Sequence, residues 1–330
     1  MPILCRNIHK FKSLLILAVV GTLIVLILFS INNFKRIQYA EEWAIFNYGQ
    51  IIEGQTGTSG IDTNILPAQK ITLGLPEVVI AVIDTGVDTS CDIFANNTIL
   101  SGWDFYNNDS SVFDSYLYDY HGTYICTTIA KIAPNITLVP VKFMESTYGS
   151  VGDAVAAIEF AIEQGADIVN CSWNFYEYDE ALYNVIKNNP DILFVCAAGN
   201  YNANLDEIAI FPCSYQLDNI INVLAMDNTG KVFRTSGYGK ETVHIAAPGV
   251  SVKVILPDND ETYIDGTSIA TAFVSAAAGL MLSIDDTMCP SEIIEKLISS
   301  ATNVDTLEDK CISGGLVNIY NAICSERSKK

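Results

Sequence analysis

From residue 78 onward, short runs of β-branched and other apolar residues alternate with longer stretches in which apolar positions recur with helical spacing. This alternation is typical of βαβ units around a buried, mainly parallel sheet. The apolar runs predict strands over Val78–Ile83, Thr137–Val141, Asp167–Cys171, Ile192–Ala197 and Ile220–Ala225. We therefore expect an α/β domain with a mainly parallel central sheet.

The stretches around these strands predict helices over 151–164, 179–188 and 291–300. Gly165 ends the first, Pro190 follows the second, and Ser-Glu capping signals after Pro290 open the third. Two further helices begin near His121 and Ser268. The helix at Ser268 is apolar nearly all round, so we expect it to run through the core.

A separate apolar run, Leu14–Ile31, is long enough to cross most of a bilayer. A buried core helix is disfavoured because the run is N-terminal and flanked by cations. The run also exceeds the usual core of a signal peptide and lacks a clear small-x-small cleavage site, which favours an uncleaved anchor over a cleaved signal peptide. This predicts a basic segment 1–13, a transmembrane signal anchor 14–31, a linker 32–40, a globular domain 41–325 and a polar tail 326–330.

Basic residues flank this run on both sides, with Arg6, Lys10 and Lys12 before it and Lys35 and Arg36 after it. The small excess before the run predicts an N-terminus inside the cell and a globular domain outside. We therefore expect a single-pass protein of the cell membrane with an extracellular domain. Secretion after signal cleavage is the less favoured alternative.

The charge of the chain is uneven. Its 18 basic and 38 acidic residues give a net charge of −20, and residues 1–40 contain no acidic residue. The rest of the chain is therefore strongly acidic, and an acidic surface repels phosphates, which argues against a nucleic-acid partner.

Three short motifs occur in the order Asp, His, Ser: Ile83-Asp84-Thr85-Gly86, His121-Gly122-Thr123 and Gly266-Thr267-Ser268-Ile269-Ala270. A serine hydroxyl is a poor nucleophile at neutral pH. It needs an imidazole to take its proton and a carboxylate to orient that imidazole. The same three residue types occur in chymotrypsin-like enzymes and α/β-hydrolases, but in other chain orders.

Together these motifs resemble those of the subtilisin-like serine proteases, over roughly residues 41 to 325. The resemblance implies a three-layer α/β/α fold and hydrolysis of peptide or protein substrates through an acyl-enzyme, with no cofactor required for the chemistry. Ser268 would attack, His121 would act as general base and then acid, and Asp84 would orient His121. Asn200, at the end of an apolar run, resembles the family's oxyanion-hole asparagine.

The segment Asn170–Asn174 resembles the family strand that pairs with the substrate backbone and forms one wall of the pocket for the residue before the cleaved bond. It makes Ser172, Trp173 and Asn174 candidate substrate-binding residues. Trp173 taken alone is more typical of a core residue than of a ligand. The family usually has glycine where Asn174 stands, so a side chain there could narrow the cleft.

Other departures and candidates lie outside the catalytic motifs. Tyr124 stands in place of a second family histidine, and Ala272-Phe273 replaces a common Pro-His pair. We expect His244 to be structural. No Cys/His spacing predicts a zinc site.

The metal and disulfide predictions are less specific. A structural calcium ion at Asp88 and Asp92 is an alternative to two solvated loop carboxylates. Cys289, Cys311 and Cys324 could supply a disulfide in an extracellular domain. The oligomeric state does not follow from the sequence.

The sequence leaves two alternatives for function. One is a catalytically inactive subtilase acting as a binding or scaffold protein, but such a protein would usually have lost a triad residue or Asn200. The other concerns biological role, since a dedicated processing enzyme and a general extracellular protease differ in specificity and share their chemistry.

Overall fold

The structure is a computed structural model that describes residues 34–113 and 119–324, together with Val20 and Ser30. The predicted anchor 14–31, apart from Val20 and Ser30, lies outside the described residues, as do segments 1–13 and 326–330. Among the residues described, no helix combines the length and the apolar character needed to cross a membrane. The chain divides after Glu41. Before that point, residues 34–38 form a helical turn.

A ten-stranded sheet forms the centre of the part that begins at Glu42. Its strands are β1 (Val79–Asp84), β2 (Thr98–Ile99), β3 (Trp103–Asp104), β4 (Thr137–Lys142), β5 (Ile168–Cys171), β6 (Leu193–Ala197), β7 (Ile220–Met226), β8 (Ile245–Pro248), β9 (Thr302–Asn303) and β10 (Gly315–Leu316). Their order is β9-β10-β8-β7-β6-β5-β1-β4-β2, and β3 also pairs with β4. All pairs are parallel except β9 with β10, which confirms a mainly parallel sheet.

The helices are α1 (His121–Ile132), α2 (Val151–Glu163), α3 (Glu180–Lys187), α4 (Thr267–Leu282), α5 (Pro290–Ser300) and α6 (Ile319–Cys324). The path from β1 through α1 to β4 runs one way across the sheet, and the path from β4 through α2 to β5 runs the opposite way. Because both crossovers are expected to be right-handed, α1 and α2 cover opposite faces. In the structure α1 packs on α4 and α2 packs on α3, which gives three layers.

The strand order also locates a crevice at the carboxyl edge of the sheet. The chain leaves β1 toward β4 and leaves the neighbouring strand β5 toward β6, so the path diverges between β1 and β5. Ligands of open α/β sheets bind beyond the carboxyl ends of the strands at such a point. Asp84 ends β1 and Ser172 follows β5, so both lie at this crevice.

The core is densest around α4. All of its residues except Ser268 are buried, as its uniformly apolar sequence predicts. The cap of α5 differs from the prediction, because Cys289 rather than Ser291 precedes the helix and its N–H donates to Glu292. Pro290 therefore occupies the first helical position, where its missing N–H costs no hydrogen bond.

Smaller elements surround the sheet. Hairpins pair Ile51–Ile52 with Gln55–Thr56, Met144–Glu145 with Tyr148–Gly149, and Val252–Ile255 with Glu261–Ile264. Short helical turns occupy Ile65–Ala68, Asp92–Asn96, Pro257–Asn259 and Asp305–Leu307.

Candidate active site

Asp84 and His121 form the shortest contact of the site. Nδ1 of His121 lies 2.6 Å from Oδ1 of Asp84, which also accepts a hydrogen bond of 2.7 Å from the Thr85 N–H. The Asp84 side chain is fully buried, whereas 24% of the His121 side chain is exposed. With Nδ1 engaged by the carboxylate, Nε2 is the ring nitrogen left for a reactant.

Close packing between β1 and α1 fixes this pair. His121 begins α1, and the N–H of Gly122 donates to Oγ1 of Thr85 at 3.1 Å. A Cβ atom on Gly122 would stand 2.3 Å from the carbonyl oxygen of Gly86. The His-Gly pair in the motif therefore has a steric cause, since only glycine lets the helix start this close to the strand end.

Opposing effects act on the pKa of His121. Burial disfavours the charged imidazolium, but the negative charge of Asp84 and its hydrogen bond, together with the charge of Asp119, favour it. The net effect raises the pKa above the usual value for histidine. The ring therefore holds a proton more strongly than an isolated imidazole, as a general base must.

Ser268 is the second residue of α4. Its hydroxyl donates to the carbonyl oxygen of Ser172 at 3.2 Å, and the Ser172 hydroxyl donates to the carbonyl oxygen of Ser268 at 3.0 Å. The backbone N–H groups of the first helical turn have no partner within the helix, and the helix dipole favours negative charge there. The Ser268 N–H is thus suited to bind an oxyanion.

Asn200 supplies a second donor to the same place. It lies three residues beyond β6 and is exposed. Its Oδ1 accepts hydrogen bonds from the N–H and the hydroxyl of Thr267, at 3.0 and 3.2 Å. Because the Thr267 N–H can only donate, the facing atom must be the amide oxygen, and this leaves Nδ2 to donate into the cleft.

A chain of buried hydrogen bonds ends at Ser172, which contacts Ser268. This chain was not predicted from the sequence. The hydroxyl of Ser275 donates to Asn170, whose Nδ2 donates to the hydroxyl of Ser172. Asn170 and Ser275 are both fully buried. Their polar side chains within otherwise apolar runs were the only available signal. They position Ser172, and through it the nucleophile.

A cleft of about 390 Å³ contains His121, Asn200 and Ser268 together. Ser172, Trp173 and Asn174 line the same cleft, so the catalytic and substrate-binding residues predicted from the sequence, except the buried Asp84, border one space. Trp173 is only 7% exposed and donates from its ring N–H to the Ile83 carbonyl oxygen, so most of its side chain belongs to the core.

Tyr176 and Tyr201 stand at the rim of this cleft and escaped the sequence analysis. They are 65% and 60% exposed, and their ring centroids are 5.4 Å apart. The neighbouring Tyr201 side chain raises the pKa of Tyr176 to about 12. Each follows a predicted site residue by one or two positions, but nothing in the sequence indicated that they meet.

His244, Tyr124 and Phe273, also noted in the sequence, do not line this cleft. Nδ1 of His244 accepts a hydrogen bond from the Asn222 N–H, and burial lowers the pKa of His244 to about 4. Tyr124 packs edge-on against His121, with ring centroids 5.1 Å apart. Phe273 is buried within α4.

The candidate calcium ligands Asp88 and Asp92 take part in local hydrogen bonds. Oδ1 of Asp88 accepts hydrogen bonds from the N–H and hydroxyl of Ser90, and the Asp92 N–H donates to Asn259. Within the described ranges, no three or more His, Cys, Asp or Glu side chains come close enough to hold a metal ion. The cysteines Cys289, Cys311 and Cys324 are free in the structure, so the disulfide anticipated among them is not formed there.

Comparisons with known proteins bear on the whole domain. A model described as the subtilase family matches residues 76–314, which include the four residues Asp84, His121, Asn200 and Ser268. Subtilisin DY of Bacillus licheniformis is 32% identical over 262 residues, covering 74% of this chain and 90% of that protein. The thermophilic serine proteinase of Bacillus sp. strain AK1 is 30% identical over 315 residues, covering 89% of this chain and 74% of that protein.

A solved protease structure is also similar to this chain in its fold. The prenylagaramide maturation protease PagA superimposes with a TM-score of 0.67 at 27% identity. The match covers 78% of this chain and 96% of that one.

Proposed function

The chain belongs to the subtilase family, and from that membership we propose that Asp84, His121, Ser268 and Asn200 are its catalytic residues. The protein is a subtilisin-like serine proteinase, a hydrolase that acts on peptide bonds. The observation that carries the residue assignment is the 2.6 Å contact between His121 and the buried Asp84, in one cleft with Ser268 and Asn200.

Acylation follows from these positions. The Ser268 hydroxyl turns from the Ser172 carbonyl oxygen toward Nε2 of His121, which takes its proton as Oγ bonds to the carbonyl carbon of the substrate. Asp84 stabilises the imidazolium that forms. Nδ2 of Asn200 and the Ser268 N–H donate to the oxyanion. His121 then gives the proton to the leaving amine, and the peptide bond breaks.

Deacylation uses the same groups, with water as the nucleophile and Ser268 as the leaving group. A water molecule enters where the amine left, and His121 takes a proton from it as its oxygen attacks the ester carbonyl. The same two donors stabilise the second oxyanion. Return of the proton from His121 to Oγ of Ser268 releases the acid product and restores the enzyme.

Hydrolysis of a set of unblocked and blocked peptides by the full-length chain in detergent tests this assignment. We expect turnover by the wild type and a loss on the order of a million-fold in Ser268→Ala, the size of the loss in the related enzyme subtilisin. Ser110→Ala, which changes an exposed serine, is the matched control and should retain full activity. A folded wild type that cleaves none of the peptides would favour the scaffold alternative.

The location of the domain is a further part of the proposal. The apolar run 14–31 would anchor the chain in the cell membrane with the catalytic domain outside, supported by its length and by the basic residues before it. Alkaline carbonate extraction and surface biotinylation of intact cells test this together. A catalytic domain recovered in the soluble fraction, or protected from the reagent, would contradict it.

A processing role is favoured over general digestion. A tethered protease meets substrates at the membrane surface, and the structural neighbour PagA is named as a maturation protease. Turnover on denatured casein, compared with turnover on peptides secreted by the same cell, separates the two roles. Faster turnover on casein would favour a general extracellular protease.

A further inference from the structure

The catalytic geometry fixes where one substrate side chain must lie, an argument that rests on the proposed function. If Ser268 and Asn200 hold the scissile carbonyl, the residue that carries this carbonyl sits between the segments that adjoin them. One segment is 172–176, whose Ser172 contacts Ser268, and the other is 197–201, which contains Asn200. The space between these two walls receives the side chain of the residue before the cleaved bond.

The two walls are joined at two points. Nδ2 of Asn174 donates a hydrogen bond of 2.8 Å to the Ala197 carbonyl oxygen, directly across the space. Nearer the solvent, the rings of Tyr176 and Tyr201 lie 5.4 Å apart, one from each wall. The pocket is therefore bridged both inside and at its rim.

The atoms around Gly199 show how little space is left in this pocket. A Cβ atom on Gly199 would stand 3.0 Å from Cδ1 of Ile210, 3.2 Å from Oδ1 of Asn174 and 3.3 Å from Cδ2 of Tyr201. A single methyl group on this wall is already tighter than ordinary van der Waals contact. A large substrate side chain would meet the same three neighbours.

The Asn174 side chain is also held in place. Its Nδ2 lies 3.8 Å from Sγ of Cys213, and Cys213 itself donates to the same Ala197 carbonyl oxygen at 2.9 Å. Rotation of Asn174 out of the pocket would give up its hydrogen bond in a partly buried site, which carries a desolvation cost. The obstruction therefore does not swing aside freely.

We propose that Asn174 is a specificity-determining residue, which closes this pocket and restricts the residue before the cleaved bond to glycine, alanine or serine. The rest of the cleft extends to Phe143, Met144 and Gly149, so larger residues find room at other positions of the peptide. The substrate class is a peptide with a small residue at the position that is cleaved.

The test compares two peptides that differ only in alanine or phenylalanine before the scissile bond. For the full-length wild type we expect kcat/KM to favour alanine by about 100-fold or more, within the range that apolar pockets achieve. In Asn174→Gly, this ratio should fall by about tenfold or more, because deletion of the side chain opens the pocket. Asn108→Gly, which changes an exposed asparagine outside the cleft, should leave both rates and their ratio unchanged.

Each outcome separates this inference from the proposed function. Equal cleavage after alanine and phenylalanine by the wild type overturns the inference and leaves the proteinase assignment intact, and this result needs no variant to fold. An unchanged ratio in folded Asn174→Gly does the same. Failure of the folded wild type to cleave any peptide overturns the proposed function, and the inference with it.

Discussion

The catalytic group and the side chains of the pocket walls differ in how they relate to the family. Asp84, His121, Ser268 and Asn200, here the catalytic group, are the residues proposed for catalysis, and all four lie within the match to the subtilase family. Asn174, Tyr176 and Tyr201, here the wall side chains, touch each other or the opposite backbone. The resemblance to the family leads us to expect glycine at the position of Asn174. In our proposal, catalysis and selectivity therefore depend on separate residues. Changes in the catalytic group should slow all peptides equally, whereas changes in the walls should alter their ratio.

The largest effect is expected for Asp84→Asn. An amide cannot stabilise the imidazolium and favours the wrong tautomer of His121, so kcat/KM should fall about 10⁴-fold. The fall should be equal for the alanine and phenylalanine peptides. Steady-state kinetics on both peptides measure it, with the exposed Asp191→Asn as the matched control. A loss confined to one peptide would contradict the division between the catalytic group and the wall side chains.

A smaller loss is expected for Asn200→Ala. It removes one of two oxyanion donors, and kcat should fall about 100- to 1000-fold, the loss that removal of this donor causes in the related enzyme subtilisin. KM should change little, because the donor binds the transition state more strongly than the substrate. Asn188→Ala, at the exposed end of α3, controls for the loss of an amide. An unchanged kcat would remove Asn200 from the catalytic group.

The pH dependence of kcat/KM also distinguishes the catalytic group from the wall side chains. His121 acts as a base only when neutral, so kcat/KM should fall about tenfold per pH unit below its pKa. Because Asp84 raises this pKa, the rising limb should lie at higher pH than for an ordinary histidine. Both peptides should give the same midpoint. A midpoint at or below about 6.5, the usual value for histidine, would contradict the raised pKa.

Stability must be followed in the same pH range. The raised pKa of His121 stabilises the fold below about pH 6.5, and this contribution is lost as the pH rises through the folded-state pKa. His244 acts in the opposite direction. Its folded-state pKa of about 4 means that the unfolded chain takes up the proton first as pH falls from the usual value toward 4. On the order of 3 kcal/mol of stability is lost over that interval. The folded state should therefore be checked by circular dichroism at each pH at which rates are measured.

The smallest effect is expected for Tyr176→Ala. The Tyr176–Tyr201 contact is exposed, so its loss should change the alanine-to-phenylalanine ratio by less than about tenfold and kcat for the alanine peptide still less. Kinetics on the two peptides again give the answer, with the exposed Tyr148→Ala as control. A uniform loss on both peptides would place Tyr176 with the catalytic group.

The sequence predicted the elements that carry strong local signals. The strand predicted over 137–141 and the helix predicted over 151–164 each end within one residue of the observed elements, because their apolar runs are long and glycine or polar residues bound them. The motifs that resemble the subtilase family also contain glycines with a structural cause, because Gly122 closely approaches Gly86 and Gly266 adopts a φ of 149°.

Other features depend on contacts that no local pattern encodes. The strands β9 and β10 have two residues each, too few to show a periodicity, and their antiparallel pairing was not predicted. The buried ion pair between Lys142 and Asp104, at 3.3 Å, joins residues whose charges suggest a surface. The direction of the Asn174 side chain depends on a carbonyl oxygen from a strand two elements away.

The central claim is that Ser268 is an activated nucleophile within an assembled catalytic group. The most direct measurement is labelling of the full-length protein by a fluorophosphonate probe, with the labelled residue located by mass spectrometry. We predict stoichiometric labelling at Ser268, none in Ser268→Ala, and a rate that falls sharply in Asp84→Asn. A folded wild type that is not labelled, or is labelled at another serine, would contradict the account.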